Sequence, residues 1–594
     1  MPRLVDTTIR VLSQEPLAGA VPTADLLRLA EVLDSAGFAS LEVSGGGVFE
    51  SAVRRGVESP WERIRAIRSR TKTPLSLAVR GKFLVGTRQV GDDLVRRFVA
   101  SAADSGIDVF RLHDPLNDTD NLRVAAESII AAGREFDGGV LYGSGRHDSL
   151  VAAAKRLPDL GAARILLHDP AGLLQPHRAG ELVEEMRELS GLPVGLYVQG
   201  AGRNGLALAM EAARAGADLI ACAVYPVALA SHRISAESVV QALDGIGLDT
   251  GVDLDILWRA ADLVDDHIGD MPITPLVPRI SVRAAKRKVP VGLVAAIDEQ
   301  LQVRHAGDRL DEVLDELERV RIEAGSPPLG APVGQVVASQ ALVNVLGASR
   351  YPMIVDELRD LVGGRFGTTP GPIDPALARA VELLGVPEPG AAVDMDAVRE
   401  RAHGLASSEE ELLLLALFGE GAERLLRSIR GRAGEEEQIG SAGAGPDRDE
   451  QIRAVVRIVQ ETGVGEITIE ENGMKVSVRQ AGDAGLARST SPTGDDTERL
   501  AVMPSPGSFM PIESPMVGTF YRSREPGARA FVEIGDPVTP DQTLCILEAM
   551  KLMNEVKAEV EGIVRKVFVG DGEPVEYGQI LFEIEPLNGL PVGI

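Results

Sequence analysis

One lysine near the end of the chain is placed for covalent chemistry. Lys551 ends the motif Glu-Ala-Met-Lys and lies within the segment 546–556, between two runs of alternating apolar residues. Such runs predict two short β-strands joined in a hairpin that presents Lys551. Turn residues are exposed, and a small β-domain holds them firmly, so the primary amine is available for attachment of a group. The alternative is an ordinary surface lysine.

The segments on either side of Lys551 repeat each other. The stretch from Gly535 to Glu548 aligns without a gap to the stretch from Gly572 to Glu585. Two similar half-units predict a flattened all-β barrel with pseudo-twofold symmetry over residues 511–587. The motif and the duplicated halves resemble biotin carboxyl carrier domains. The resemblance implies that a biotin protein ligase attaches biotin covalently to Lys551 and that Glu548, Ala549 and Met550 complete the biotin-binding motif.

Two further features resemble the carrier subunits of acetyl-CoA carboxylase. The first half-unit has extra residues within 521–530, which resemble the thumb loop of those carriers; the alternative is a simple loop extension. Residues 449–480 predict a helix and a hairpin turning at Asn472-Gly473, which resemble the segment that joins such a carrier to its biotin carboxylase. The alternative is a minor satellite domain. Stretches rich in small and polar residues predict linkers at 432–448 and 481–510.

Composition limits the classes of protein that this chain can represent. Its 594 residues are too many for one core and predict several domains. The net charge of −27 without a basic patch disfavours nucleic acid as a partner. Only two cysteines, Cys222 and Cys545, are present, so a disulfide framework is excluded. No apolar run is long enough for a membrane helix, and we expect a cytoplasmic protein without membrane association.

The first 250 residues must form a scaffold of another kind. Short apolar runs alternate with amphipathic segments, which predicts an α/β fold, a (β/α)₈ barrel, with a helical domain following at 251–431. The predicted strands are Leu4–Thr7, Leu41–Val43, Leu75–Arg80, Val109–His113, Val140–Tyr142, Ile165–His168, Val194–Val198 and Leu219–Val224. In such a barrel the chemistry belongs at the C-terminal ends of the strands.

Segments at those strand ends resemble the carboxyltransferase barrel of pyruvate carboxylase, oxaloacetate decarboxylase α and transcarboxylase. The matching segments are Asp6–Arg10, Pro60–Arg63, Arg80-Gly81 with Leu84–Gly86, Phe110-Arg111 with Leu116–Asp118, and Asp169–Leu174. The resemblance covers most of residues 1–430. It implies a barrel mouth built to transfer a carboxyl group from biotin to a keto acid.

The family's metal ligands are all replaced in this chain. The resemblance places an aspartate, a carbamylated lysine and two histidines at positions occupied here by Val11, His168, Tyr197 and Gln199. Valine has no donor atom, and tyrosine and glutamine are poor substitutes for imidazole. His168 could ligate a metal, but a packed or hydrogen-bonded histidine is the simpler interpretation. We therefore expect no metal in the barrel and interpret it as a pseudo-enzyme scaffold.

Three other positions of the family's site keep their chemistry. By the resemblance, Gln14 and Arg80 contact the keto acid, and Ser231 stands where the family has a proton-shuttling threonine. A guanidinium group in a barrel mouth suits recognition of a carboxylate. The alternative is that Arg80 forms a structural ion pair. These three residues are candidates for a vestigial ligand pocket.

The leading hypothesis is a biotin carboxyl carrier subunit of an acyl-CoA carboxylase that carries carboxybiotin on Lys551, with acetyl-CoA as the expected acceptor, as in fatty acid biosynthesis. Its partners would be a biotin carboxylase subunit, an acyl-CoA carboxyltransferase subunit and further copies of itself. The alternative is an active keto-acid carboxyltransferase or decarboxylase, similar to a pyruvate carboxylase subunit or to oxaloacetate decarboxylase α. A third hypothesis is a sensor in which Gln14 and Arg80 bind a regulatory carboxylate.

Overall fold

The structure, a computed structural model, describes residues 1–441 apart from 57, 144–146, 200–203, 270–276, 348, 386–392 and 403. Beyond these it describes 466–471, 474–479, 510–514, 518–523, 530–539, 542–549, 552–558, 562–570, 573–575 and 580–586. The chain divides into two compact units, Met1–Gly443 and Ala444–Ile594.

Eight parallel strands close into a barrel in chain order, and the last strand pairs with the first. They are β1 (Arg3–Asp6), β2 (Ser40–Gly45), β3 (Leu75–Val79), β4 (Val109–His113), β5 (Glu135–Leu141), β6 (Arg164–Asp169), β7 (Val194–Val198) and β8 (Leu219–Cys222). Nearly all of their residues are buried, because the barrel interior covers one face and the surrounding helices cover the other. The predicted (β/α)₈ barrel is confirmed.

Twelve helices accompany these strands and share one core with them. They are α1 (Thr8–Leu12), α2 (Thr23–Asp34), α3 (Gly46–Arg55), α4 (Pro60–Arg68), α5 (Asp92–Asp104), α6 (Arg123–Ala131), α7 (His147–Arg156), α8 (Pro176–Ser190), α9 (Gly205–Arg214), α10 (Tyr225–Ser231), α11 (Ala236–Asp244) and α12 (Leu254–Ile268). Phe49, Trp61 and Phe98 meet in this core with ring centroids 5.0 to 5.6 Å apart. Although α12 falls in the range predicted for the helical domain, it packs on the barrel.

The fifth strand begins at Glu135 rather than at the predicted Val140. Its first half lacks an apolar run, which is why the sequence pattern did not indicate a strand there. A Cβ atom at Gly138 would come within 2.6 Å of a methyl carbon of Leu157. The small residue is explained by the close approach of the neighbouring side chain.

Six helices after the barrel build a second core of their own. They are α13 (Pro278–Arg287), α14 (Val291–Val303), α15 (Leu310–Glu323), α16 (Val333–Leu346), α17 (Asp356–Val362) and α18 (Pro375–Leu384). The starts of α14 and α16 line the same cavity as the C-terminal ends of the barrel strands. This helical layer therefore covers the barrel mouth.

Three later helices return to the barrel core instead of extending the second core. They are α19 (Met395–Arg401), α20 (Glu409–Phe418) and α21 (Glu420–Ser441). A capping box between Ser408 and Glu411 starts α20. Helix α21 continues through the first residues of the predicted 432–448 linker, where glutamates favour a helix, and residues 442–448 lie outside the described part of the chain.

The second unit contains a hairpin of β9 (Glu466–Glu471) and β10 (Met474–Arg479), with Met474 opposite Glu471. It lies where the sequence predicts one. The turn residues 472–473, the predicted helix before the hairpin and the predicted linker up to residue 509 lie outside the described residues.

The C-terminal domain consists of two antiparallel four-stranded sheets around a small apolar core. The strands are β11 (Met510–Glu513), β12 (Gly518–Tyr521), β13 (Pro537–Val538), β14 (Thr543–Ala549), β15 (Leu552–Lys557), β16 (Gly562–Val567), β17 (Pro574–Val575) and β18 (Ile580–Pro586). In the repeat alignment β13 and β14 coincide with β17 and β18 residue for residue. One sheet has the order β11-β18-β16-β13 and the other β15-β14-β12-β17. A twofold rotation that interchanges the two half-units therefore maps each strand of one sheet onto the corresponding strand of the other. The predicted all-β domain is confirmed; most of the predicted thumb, residues 524–529, lies outside the described residues.

No helix in the described residues is both long enough and apolar enough to span a bilayer.

Candidate functional site

The carrier hairpin is formed by the two strands on either side of Lys551. Strand β14 pairs with β15 in antiparallel register, and Ala549 lies opposite Leu552. Glu548 and Ala549 therefore end the first strand of the hairpin. Met550 and Lys551, which connect the strands, lie outside the described residues.

A second candidate site is the mouth of the barrel, where a cavity of about 310 Å³ opens at the C-terminal ends of the strands. Its polar lining consists of arginine, histidine, glutamine and glutamate side chains from different strand ends. They are Arg10, Gln14, Glu50, Arg80, Arg111, His113, His168, Gln199 and Arg233, and Gln335 adds an amide from the start of α16. Gln14 and Arg80, both predicted site residues, are brought together here.

A buried network centred on Glu42 forms the floor of the mouth. This carboxylate, on β2, is 2% exposed and accepts hydrogen bonds from Arg10, from Arg111 at 3.0 Å and from the Tyr197 hydroxyl at 3.0 Å. Arg10 also donates to the Tyr197 oxygen at 2.8 Å. Burial opposes ionisation, but the positive charges of Arg10, Arg111 and Arg233 outweigh it and lower the pKa of Glu42 to about 2. Glu42 therefore carries its charge at neutral pH.

Arg80 lies elsewhere in the mouth and has no carboxylate partner within ion-pair distance in the described chain. It is 7% exposed and donates to the backbone carbonyl of Val85 at 2.7 Å. Burial lowers the pKa of Arg80 to about 10, so it remains protonated at neutral pH. A Cβ atom at Gly46 would lie 2.1 Å from the Arg80 Nη2 atom, and one at Gly47 would lie 2.9 Å from the Gln14 side-chain oxygen. The two glycines make room for both side chains.

Two neutral histidines complete the polar lining. The rings of His113 and His168 lie 5.8 Å apart between centroids, and both residues are 6% exposed. Burial, reinforced by neighbouring arginines such as Arg111, holds the pKa of each histidine well below its usual value. The Nδ1 atom of each ring has no hydrogen-bond partner within the described chain. The histidines therefore add no positive charge to the mouth at neutral pH.

The residues at the family's metal positions do not fit a divalent cation. Val11 is buried and apolar, and the Tyr197 hydroxyl is already bonded to Glu42 and Arg10. Guanidinium groups approach the Tyr197 ring, with Arg111 at 4.1 Å and Arg233 at 4.8 Å from its centroid. A cation at this place would meet positive charge, which opposes binding.

The remaining potential ligands at these positions do not reverse that conclusion. Gln199 Nε2 lies 3.5 Å from His168 Nε2, so the amide and the imidazole face each other. Among the described residues, no three histidine, cysteine, aspartate or glutamate side chains are grouped so that they could hold a metal.

Ser231 takes no part in the mouth as the structure describes it. It ends α10, and its hydroxyl donates to the Val227 carbonyl of the same helix at 2.6 Å. The residue that lines the cavity from this segment is Arg233. Sequence reasoning missed the roles of Glu42, Arg111 and Arg233. The sequence did contain a signal for two of these residues, because Arg111 and Arg233 lie in segments that align with the family's site.

Comparisons with known proteins identify the family. Residues 1–264 match the family described as HMGL-like, 285–471 the "Conserved carboxylase domain" and 510–584 the "Biotin-requiring enzyme" domain. A pyruvate carboxylase subunit of Methanocaldococcus jannaschii is 36% identical over 441 residues, which cover 72% of this chain and 78% of that protein. The chain belongs to the family of biotin-dependent carboxylase subunits.

Two further relatives support membership of this carboxylase family. The 2-oxoglutarate carboxylase large subunit of Hydrogenobacter thermophilus is 30% identical, in a match that covers 93% of this chain and 90% of that protein. The carboxyl transferase domain of Rhizobium etli pyruvate carboxylase, solved with oxamate and biotin, superposes with a TM-score of 0.64 at 25% identity. That match covers 72% of this chain and 78% of that domain. The chain is thus a carboxyltransferase-type barrel fused to a C-terminal biotinyl domain.

Proposed function

We propose that this chain is the subunit of a biotin-dependent carboxylase that carries biotin on Lys551 and binds a 2-oxo acid as the carboxyl acceptor in its barrel mouth. The observation that carries the proposal is Arg80, a buried guanidinium group that lines the cavity beside Gln14 and has no carboxylate within ion-pair distance among the described residues. Buried charges are normally paired, so an unpaired arginine in a cavity indicates an anionic ligand.

The acceptor distinguishes this proposal from the acyl-CoA hypothesis. Two of the relatives are named as a pyruvate carboxylase subunit and a 2-oxoglutarate carboxylase, and both names contain a 2-oxo acid. They favour the keto-acid alternative over acetyl-CoA and fatty acid biosynthesis. Small 2-oxo acids suit a cavity of about 310 Å³ that is lined by guanidinium groups.

In the proposed transfer, the carbon next to the ketone loses a proton and forms a bond to the carboxyl carbon of carboxybiotin. The bond from that carboxyl carbon to the biotin nitrogen breaks, and the nitrogen takes up a proton. Arg80 and Gln14 would hold the acceptor's carboxylate, and negative charge that develops on the keto oxygen would lie in the field of Arg10, Arg111 and Arg233. No step is assigned to a metal, since the residues present do not fit one.

The proposed partners are a biotin carboxylase subunit and a biotin protein ligase. The hairpin β9–β10 belongs to the predicted docking element 449–480, which would hold the biotin carboxylase while the biotinyl domain moves on its linker. Deletion of 449–480 should abolish co-purification with the biotin carboxylase and leave the mass increment of biotin intact. If the complex survives the deletion, docking lies elsewhere in the chain.

Radiolabel transfer tests the proposed function. The complex is isolated through an affinity tag, dialysed against EDTA, and then given the magnesium salt of ATP and ¹⁴C-bicarbonate together with pyruvate, 2-oxoglutarate, acetyl-CoA or propionyl-CoA. The products are reduced with borohydride before acidification, because a carboxyl group placed β to a ketone is otherwise lost as carbon dioxide. We expect label in the reduced product only with a 2-oxo acid, and none in the variant Lys551→Arg, which keeps the charge but loses the amine that forms the amide bond. Label that depends on an acyl-CoA would refute the proposal.

A second function is favoured by the altered metal positions. With Val11, His168, Tyr197 and Gln199 at those positions, the mouth could bind a carboxylate without transferring a carboxyl group to it. The barrel would then act as a sensor or a scaffold. Binding of a 2-oxo acid without label transfer in the same complex would select this function.

A further inference from the structure

The charges around the barrel mouth do not balance. Among the described residues, four guanidinium groups line the cavity, those of Arg10, Arg80, Arg111 and Arg233. Against them stand Glu50 in the lining and Glu42 behind it, while the neighbouring histidines are neutral. Even with both carboxylates ionised, two positive charges of this described lining remain without a counter-charge, and such a surplus in a buried site is costly.

Hydrogen-bond donors without a partner show where part of this surplus positive charge could contact a ligand. Arg111 is 4% exposed and lines the cavity, yet its Nη1 atom has no hydrogen-bond partner in the part of the chain that the structure describes. Arg233 packs against the Tyr197 ring and has no carboxylate within ion-pair distance among the described residues. Arg111 and Arg233 both lie against the Tyr197 ring and both line the cavity, so together they form a second cationic position there.

This position is separate from Arg80. Arg80 follows β3, whereas Tyr197 lies on β7, and these strands are on opposite sides of the closed eight-stranded barrel. Arg111 reaches the Tyr197 ring from β4 across the interior. A ligand that satisfies both positions must carry negative charge at two ends rather than at one centre.

We propose that the barrel mouth is a dicarboxylate site, in which Arg80 with Gln14 binds one carboxylate and Arg111 with Arg233 binds the other. The guanidinium groups thus occupy the region where related barrels hold a metal and select the ligand by its second charge. Naming the ligand as the acceptor, a 2-oxo diacid rather than pyruvate, rests on the proposed function. The proposal that the mouth binds a dicarboxylate does not depend on the proposed function.

Calorimetry on the full-length variant Lys551→Arg tests the site without a contribution from carboxybiotin. The protein is first dialysed against EDTA and then against buffer without it, because EDTA is itself a polycarboxylate. The probes are 2-oxoglutarate and 2-oxopentanoate, which has a methyl group where the diacid has its second carboxylate, with inorganic phosphate as a single-centre dianion. We expect 2-oxoglutarate to bind about tenfold to a hundredfold more tightly than 2-oxopentanoate, the effect of one charge-assisted contact. Equal affinities, or phosphate binding as tightly as 2-oxoglutarate, would overturn the proposal.

Variants locate the two ends of the ligand. Arg233→Gln should remove the preference for the diacid and leave the affinity for 2-oxopentanoate within about threefold, whereas Arg80→Gln should weaken both ligands. Arg233→Lys should restore part of the preference. A general folding defect would weaken both ligands in every variant. Arg214→Gln, which removes an exposed arginine on α9, is the matched control and should keep the preference. A preference that survives Arg233→Gln would refute the assignment.

The radiolabel assay separates this inference from the proposed function. If 2-oxoglutarate binds with the expected preference but receives no label, the dicarboxylate site stands and the role of the ligand as acceptor fails. If 2-oxopentanoate and 2-oxoglutarate accept label with equal kcat/KM, the proposed function stands and the dicarboxylate site is refuted.

Discussion

Replacement of the buried carboxylate at the centre of the mouth should be one of the most damaging single changes in the barrel. Glu42→Gln preserves the size of the side chain but leaves Arg10 and Arg111 without a counter-charge. Lowering the pKa of Glu42 from its ordinary 4.5 to about 2 corresponds to about 3 kcal/mol of stability at neutral pH. Removal of one partner from a buried ion pair independently suggests about 3 to 5 kcal/mol. We therefore expect a loss of about 3 to 4 kcal/mol.

Urea unfolding at pH 7.5, followed by tryptophan fluorescence, measures this loss. Trp61 is 1% exposed in the barrel core and reports on that unit, whereas Trp258 is 41% exposed. A loss of this size should lower the midpoint by roughly 1 M urea. The control is Glu357→Gln, which breaks the exposed pair with Arg88 and should cost less than about 1 kcal/mol.

The pH dependence of the free energy of unfolding provides a second test of the role of Glu42. A carboxylate whose pKa is lowered by folding contributes stability that is fully present above its unfolded pKa and is lost as the pH falls through the folded value. The difference between the parent and Glu42→Gln should therefore be constant from pH 8 to pH 6. A midpoint shift no larger than that of Glu357→Gln, or one that disappears within this range, would refute the reasoning.

Three other predictions concern the barrel. In Gly46→Ala the new Cβ would lie 2.1 Å from Arg80 Nη2, so binding of 2-oxo acids should weaken about tenfold or more. The control Gly91→Ala adds its Cβ to open space and should leave the affinity unchanged. Equal affinities of the two variants in calorimetry would contradict this prediction. Burial raises the pKa of Asp6 to about 7, so its contribution to stability is present at acid pH and is lost as the pH rises through 7. Asp6→Asn should therefore reduce the fall in stability between pH 5 and pH 8 by about 2 to 3 kcal/mol, and parallel pH profiles of parent and variant would argue against it. Elemental analysis after dialysis should find far less than one Zn²⁺, Mn²⁺ or Co²⁺ per chain, and a stoichiometric ion would overturn our interpretation of the altered metal positions.

The two domain types could be predicted because their signals are local in sequence. Strands of the barrel such as Val109–His113 and Val194–Val198 are short apolar runs at regular spacing, and the structure places both at the predicted bounds. The repeat on either side of Lys551 likewise predicted the paired sheets of the C-terminal domain. Local pattern failed at β5, where packing against Leu157 requires a glycine, and at α19–α21, whose return to the barrel depends on distant contacts.

At the candidate site the sequence by itself determined which residue types stand at the strand ends, including Gln14, Arg80 and the four altered metal positions. Only the tertiary structure decided what these residues do together. Glu42, Arg111 and Tyr197 lie on three different strands, and their contacts exist because the closed barrel directs alternate side chains into one interior. Ser231 turns back onto its own helix, while Arg233, two residues later, reaches the cavity. The charge surplus of the mouth is a property of distances across the barrel, and sequence spacing carries no information about those distances.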